Sequence, residues 1–220
     1  LGQVKRLAVS KGIDSLAAAA GPGGEATVAW IGRSDSRRHY EIRALRRFAG
    51  HAFGPVRVVR STRAFVAELA LAADETGRTT AAWPEDDFGN PAGDNDRTSS
   101  VRTVTAASGH AFGKSRMLTA SGTRSSQSLS LAAANGRVAA AWGYKRDSRH
   151  VGVQATVGRP QVLGPPQTIA AVTLVGDFFV TTPSARVTLA PSGAATAFAV
   201  LPTEPAPRQI SSRLVAMEGR

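Results

Sequence analysis

The 220 residues carry 27 Lys+Arg against 16 Asp+Glu, a formal net charge of +11, and 42% of them are hydrophobic, enough to build a packed core. With 0 Cys, disulfides, thiolate nucleophiles and cysteine-based zinc sites are excluded, and no apolar run approaches the roughly eighteen residues of a membrane-spanning helix. The 4 His, at His39, His51, His110 and His150, lack HExxH-type spacing, so no multi-histidine metal centre is expected.

The chain opens on Leu1, and residues 1–10 lack the long apolar core of a signal peptide, so a processed product or a fragment is expected. Ser15-Leu-Ala-Ala-Ala-Ala20 then leads through a turn at Gly24 into Ala26-Thr-Val-Ala-Trp30. The same phrase returns as Glu68-Leu-Ala-Leu-Ala-Ala73 with Thr79-Thr-Ala-Ala-Trp83, and as Ser128-Leu-Ser-Leu-Ala-Ala133 with Val138-Ala-Ala-Ala-Trp142. A fourth copy is Arg186-Val-Thr-Leu-Ala-Pro191 with Ala194-Ala-Thr-Ala-Phe198. The turn residues Gly24, Gly77, Gly136 and Gly193 lie 53, 59 and 57 residues apart, and an aromatic follows each by 6, 6, 6 and 5 residues. All 3 Trp occupy this one repeated position.

A second marker has the same period: Gly50-His-Ala-Phe-Gly54 recurs as Gly109-His-Ala-Phe-Gly113 and, more loosely, as Gly158-Arg-Pro-Gln-Val-Leu-Gly164. Residues 40–48, read alone, suit an amphipathic helix, because Ile42, Leu45 and Ala49 fall near one helical face. Comparison between copies decides otherwise. Leu45, Val104, Val153 and Leu214 each stand five residues before a turn glycine, and the matching segments alternate and are β-branched, which predicts strands. The Ala-rich runs are also read as strands, since six-residue segments between glycine turns are too short to stand as helices.

Each copy thus holds four short strands bounded by turns, and the predicted fold is an all-β propeller of about four four-stranded antiparallel blades. The blades fall at about 11–60, 64–119, 124–170 and 185–220 of a single domain, with 1–10 as the outer strand of the last or of a preceding blade. A closed four-bladed ring and a piece of a six- or seven-bladed one are both compatible with this pattern.

Taken together, the Ala-rich strand, glycine turn, Trp-ended run and G-x-x-F-G phrase resemble secreted bacterial β-propeller repeat proteins of the sialidase-like (BNR-repeat) superfamily. The resemblance covers essentially the whole chain and implies an extracellular or cell-envelope address. It carries no catalytic residue across, because the S-x-D-x-G-x-T-W Asp-box is replaced by Gly-His-Ala-Phe-Gly. Tyr40 and Glu41, as strand neighbours, are expected to point to opposite faces and so not to form a nucleophile pair.

In a propeller the loops between second and third strands, and the links between blades, emerge on one face. Ligand contact is therefore expected at loops 32–39, 84–99 and 143–150, through Asp35, Arg37, Arg38, Glu85, Asp86, Asp87, Asp94, Asp96, Tyr144, Arg146 and Asp147. Five acids within twelve residues, Glu85 to Asp96, on an Asn/Gly/Pro background could hold Ca²⁺, although the spacing is not that of an EF-hand. No other cofactor is expected. His51 and His110 are read as turn residues packing on Phe53 and Phe112, and not as ligands. The resulting expectation is a monomeric, non-catalytic binding or scaffold module for a protein or glycan partner. A sialidase-like glycoside hydrolase or carbohydrate-binding domain is one alternative. Polyanion binding by the basic surface is the other and predicts strong salt dependence, but without RNP or helix-turn-helix patterns nucleic acid is not the expected partner.

Overall fold

Small and β-branched residues between glycine turns leave the backbone no length for helix, and all regular structure among the described residues is strand. The computed structural model describes residues 7, 12–33, 39–87, 98–119, 125–147, 149–173, 183–203 and 211–219. The first sheet runs β1 (Ile13–Ala20), β2 (Ala26–Arg33), β3 (Tyr40–Arg47) and β4 (Arg57–Thr62), paired in that order and antiparallel. The second runs β5 (Ala70–Ala73), β6 (Thr79–Asp87), β7 (Thr98–Ala106) and β8 (Arg116–Met117). In the third, β9 (Ser125–Ala134), β10 (Arg137–Lys145) and β11 (His150–Arg159) are followed by β12 (Val162–Leu163) and β13 (Gln167–Thr173), both paired to β11. The fourth shows β14 (Ser184–Leu189), β15 (Ala195–Thr203) and β16 (Ser211–Gly219). The segment expected to be an outer strand, 1–10, lies outside the described residues except for Leu7.

The four sheets are propeller blades, stacked in chain order: β1 packs along β5, β5 along β9 and β9 along β14. Residues 40–47 form a strand, as the comparison between copies predicts. The turn glycines Gly24, Gly77, Gly136 and Gly193 have φ of 87°, 73°, 64° and 83°, a left-handed conformation that a side chain would strain. The third blade departs from the Gly-His-Ala-Phe-Gly turn: Gly50 and Gly109 have φ of 71° and 77°, whereas Gly158 is absent from the positive-φ glycines.

Each strand's alternation divides its residues between two neighbouring blades. Ala29, Ile31, Ile42 and Ala44 of blade 1 meet Ala81, Trp83 and Val104 of blade 2. Ala82 and Val101 of blade 2 meet Leu129, Ala140 and Trp142 of blade 3, and Ala139, Ala141 and Val153 of blade 3 meet Ala185, Val187, Ala197 and Ala199 of blade 4. Trp83 and Trp142 therefore share one seat, fully buried on the face turned toward the preceding blade. Trp30 lies on the corresponding face of blade 1, opposite Leu16 in register. Phe198 does not share this position. It follows its turn glycine by one residue fewer, which sends it to the opposite face and leaves the fully buried Ala199 in the seat.

Polar groups stitch the blades together at the end carrying the glycine turns. Arg137 Nη1 donates to the Gly193 carbonyl at 2.9 Å, and the Asn135 amide donates to Glu75 at 2.6 Å. Arg46 of blade 1 donates to Thr27 Oγ1 and to the carbonyls of Ala107 and His110 in blade 2, with its guanidinium over the rings of Phe48 and Phe112. Burial pushes its pKa down, with Glu25 pulling the other way. His110, read as a turn residue, bonds its Nδ1 to the Ser108 carbonyl of its own turn at 2.8 Å.

Candidate functional site

The face opposite those turns receives the loop-side ends of β2, β3, β6, β7, β10 and β11. Alternation along β6 turns Trp83 and Glu85 toward blade 1. There the Glu85 carboxylate, in a residue only 5% exposed, accepts from Trp83 Nε1 at 3.1 Å, Arg60 Nε at 2.9 Å and Arg102 Nε at 2.6 Å. Arg60 Nη2 adds a longer bond at 3.3 Å. Arg60 comes from β4 and Arg102 from β7, so this carboxylate clasps two blades together, and its oxygens are engaged by those donors. Asp86 turns the other way. Its backbone exchanges two 2.9 Å hydrogen bonds with Phe65, which extends the inner segment of blade 2 toward the loop face.

A row that sequence reasoning missed lies on the neighbouring side. Asp14, on the innermost strand of blade 1, receives Arg33 Nε at 3.0 Å, and this bond, with the charge of Asp14, raises the Arg33 pKa. Arg33 sits over the Tyr40 ring at 5.8 Å, and Tyr40 meets Phe65 of blade 2 edge-on at 5.5 Å and 88°. Glu41 faces away and pairs with Arg43 at 2.6 Å, so Tyr40 and Glu41 are not partners. One signal for Asp14 was available: it is the single acid leading into the first Ala-rich run. Glu68, just before β5, is half-buried, and its Oε2 accepts the Leu129 amide of blade 3 at 3.0 Å.

In blade 3, Tyr144 is half-buried against the Leu129, Ala140 and Trp142 cluster, and its ring lies so close to Gly152 that a Cβ there would be 2.8 Å away. Arg146 is exposed, and its amide donates to the His150 carbonyl at 2.9 Å. Asp147 accepts from the amides of Arg149 and His150, each at 2.8 Å, and pairs with His150 Nδ1 at 2.7 Å. These bonds, the backbone ones foremost, bring its pKa down to about 2. A carboxyl held below its unfolded value of about 3.9 stabilises the loop above that pH, and the stabilisation is lost as pH falls toward the folded value. A carbon-13 titration of the Asp147 carboxyl should therefore have its midpoint at about 2. A midpoint near 4 would show that the loop amides do not hold it.

The structure thus brings Glu85 to the junction of blades 1 and 2, while Tyr144, Arg146 and Asp147 lie together on the blade 3 loop. Asp35, Arg37, Arg38, Asp94 and Asp96 lie outside the described residues, as does the side chain of Asp87. Among the described residues no group of three or more His, Asp or Glu is placed to hold a metal ion. Of the five acids considered for Ca²⁺, Glu85 is committed to arginine. No helix among the described residues is long and apolar enough to cross a membrane.

No protein-family model matches this sequence, and a search of curated proteins finds no match. The fold is similar to that of solved structures. An α-L-arabinanase of Penicillium chrysogenum, complexed with arabinobiose, aligns at a TM-score of 0.55 with 11% identity over 93% of this chain and 62% of its own. An E-to-A mutant of an α-L-arabinofuranosidase of Fusarium graminearum, in complex with an iminosugar inhibitor, aligns at 0.55 with 8% identity over the same shares. The Fusarium enzyme, described as GH93, with arabinobiose gives 0.51 and 9% over 92% of this chain and 61% of that one. This chain therefore spans less than two thirds of their length, and at these identities the likeness establishes the fold, a β-propeller. It also corrects the expectation of a non-catalytic binding or scaffold module: the three solved chains described above are glycosidases, which favours the glycoside-hydrolase alternative. Missing Asp-boxes were no argument against that alternative, because the blade scaffold survives where turn and loop residues have diverged.

Proposed function

We propose that these blades belong to a glycoside hydrolase acting on an arabinose-containing glycan, with substrate met at the face where loops 34–38, 88–97, 145–150 and 204–210 emerge. The observation that carries this reading is the common propeller arc shared with enzymes holding arabinobiose and an iminosugar. Cleaving a glycosidic bond generally takes two carboxyl groups, one giving a proton to the leaving oxygen and one acting as nucleophile or as base for water. Asp14 and Glu68 lie on the inner segments of adjacent blades, toward that face, and each contributes a carboxylate less enclosed than Glu85. Arg33, Tyr40 and Phe65 beside Asp14 supply the mixed cationic and aromatic surface on which a sugar ring rests. A polymeric glycan does not cross a bilayer, so the extracellular or envelope address goes with this reading.

The test is hydrolysis of arabinan, arabinobiose and a chromogenic α-L-arabinofuranoside by the protein carrying these blades. Asp14→Asn and Glu68→Gln should each lower kcat by about 10²-fold or more with folding retained, the usual scale for lost proton transfer. Absence of both turnover and calorimetric binding across arabinosides and other glycans would overturn the assignment.

A further inference from the structure

Among the described residues, Ser128 and Asn135 are the two non-glycine positions with positive φ, at 55° and 50°. Asn135 needs it for the tight turn between β9 and β10. Ser128 has no turn to make. It lies inside β9, where a left-handed conformation sets Cβ against the following carbonyl and persists only when the surroundings hold it. The pairing with β10 shows what this does to the chain: Ser130 stands opposite Ala141 and Gln127 opposite Gly143, so Ser128 and Leu129 together face the single residue Trp142. This is a bulge of the kind usually given to glycine, and it takes the Leu129 amide out of the ladder.

The groups that the bulge frees are taken up by the neighbouring blades. The Leu129 amide donates to Glu68 Oε2 of blade 2 at 3.0 Å, and Ser128 Oγ accepts from the Ala185 amide of blade 4 at 3.1 Å. These are one bond made twice. Glu68 opens the second copy of the Ala-rich phrase as Ser128 opens the third, and Ala185 faces Ala199 in the seat of blade 4 as Leu129 faces Trp142 in blade 3. A serine thus suffices to lace one inner strand to the next. At position 68 a longer side chain makes the bond, and its second oxygen, Oε1, is not needed for the lacing. Asp14, the other carboxylate assigned to the reaction, also stands at a bulge: β1 shifts register between Ile13 and Ser15, which makes Asp14 the extra residue.

We propose that Ser128 is the positioning residue for the Glu68 carboxylate. Anchored to blade 4 through its hydroxyl, it holds the bulge that aims the Leu129 N–H at Oε2. That bond fixes the rotation of the carboxylate and leaves Oε1 as the oxygen for proton transfer. The catalytic consequence rests on the glycosidase reading, whereas the link from Ser128 through Leu129 to Glu68 does not.

The test uses the full gene product labelled with nitrogen-15 leucine, in which the Leu129 amide signal is identified by its loss in Leu129→Met. A proton held by a charged acceptor resonates downfield, so this signal should move upfield in Glu68→Ala. It should do so in Ser128→Val as well and stay near the parent position in Ser128→Gly, because valine rejects a positive φ and glycine accepts it. Kinetics form the second arm. Ser128→Val should lower kcat on the arabinoside by at least about ten-fold with KM within about two-fold, the pattern of a misplaced reacting group, and Ser128→Gly should recover most of that loss. Glu68→Ser keeps a hydroxyl for the lacing, so it should retain the fold and lose the turnover. A Leu129 signal unmoved in Glu68→Ala or in Ser128→Val would overturn the proposal. So would the parent kcat in Ser128→Val, a glycine variant no better than the valine one, or turnover retained by Glu68→Ser. If the parent protein turns over no glycan, the glycosidase reading falls and the Leu129 signal alone decides the positioning. Circular dichroism reports the folding of each variant, and Ser128→Ala, a milder obstacle to positive φ, takes the place of the valine variant should that one fail to fold.

Discussion

Trp142→Ala should cost about 3–5 kcal/mol of folding stability, the range for deleting a fully buried aromatic side chain. Trp142 is 0% exposed and packs between blades 2 and 3 with Leu129, Ala140, Ala82 and Val101. Ala70, Ala82 and Ala140 are too short to reach into the space, and Val101, Leu129 and Tyr144 are held on paired strands, so most of the cavity would persist. Phe198→Ala is the matched control. Phe198 is half-buried on the end face of blade 4, where water already reaches its surroundings, and its loss should cost about 1 kcal/mol. Urea denaturation of both variants checks the pair. Equal losses would mean that the indole is not an inter-blade wedge and that the faces have been assigned to the wrong neighbours.

The same two residues show how much of the molecule could be read in advance. The interval between Gly24, Gly77, Gly136 and Gly193 is a local property of the chain, and so is the alternation in residues 40–47, so blades and strands followed from the sequence. Phe198 was grouped with the tryptophans because it stands nearly the same distance from its turn, but in a strand one residue reverses the direction of the side chain. Contacts between blades were not legible at all. Glu85 was read as one of five acids in a ligand-contacting loop, yet Arg60, 25 residues away on β4, meets it only once blade 2 is laid on blade 1, and Arg102, 17 residues away, only once β7 pairs with β6. Tyr40 meets Phe65 across the same junction, whereas Asp14 and Arg33 are joined within blade 1 by the pairing of β1 with β2. The functional expectation ran against the structural neighbours for a related reason. The expectation of a module without catalysis rested on absent motifs, but propellers 8 to 11% identical share their blades while differing in the residues a motif would contain.

The clasp around Glu85 carries the second large effect. Glu85→Ala should destabilise the protein by about 3 kcal/mol, near the lower end for breaking a buried ion pair, because the side chains of Arg60 and Arg102 stay 32% and 22% exposed and recover part of their hydration. The substitution also strands the Trp83 indole N–H, 3.1 Å from the lost oxygen, in a residue with no exposed surface. Glu85→Gln keeps an acceptor for that indole and removes only the charge, so it should cost roughly half as much. Arg60→Ala leaves the carboxylate with Arg102 and should cost about 1 kcal/mol, and the Glu85/Arg60 double-mutant cycle should show coupling. Denaturation midpoints measure all four variants. If Glu85→Ala instead left stability within about 0.5 kcal/mol while abolishing sugar release, the carboxylate would be reacting with substrate, and the blades would be held by their apolar interface alone.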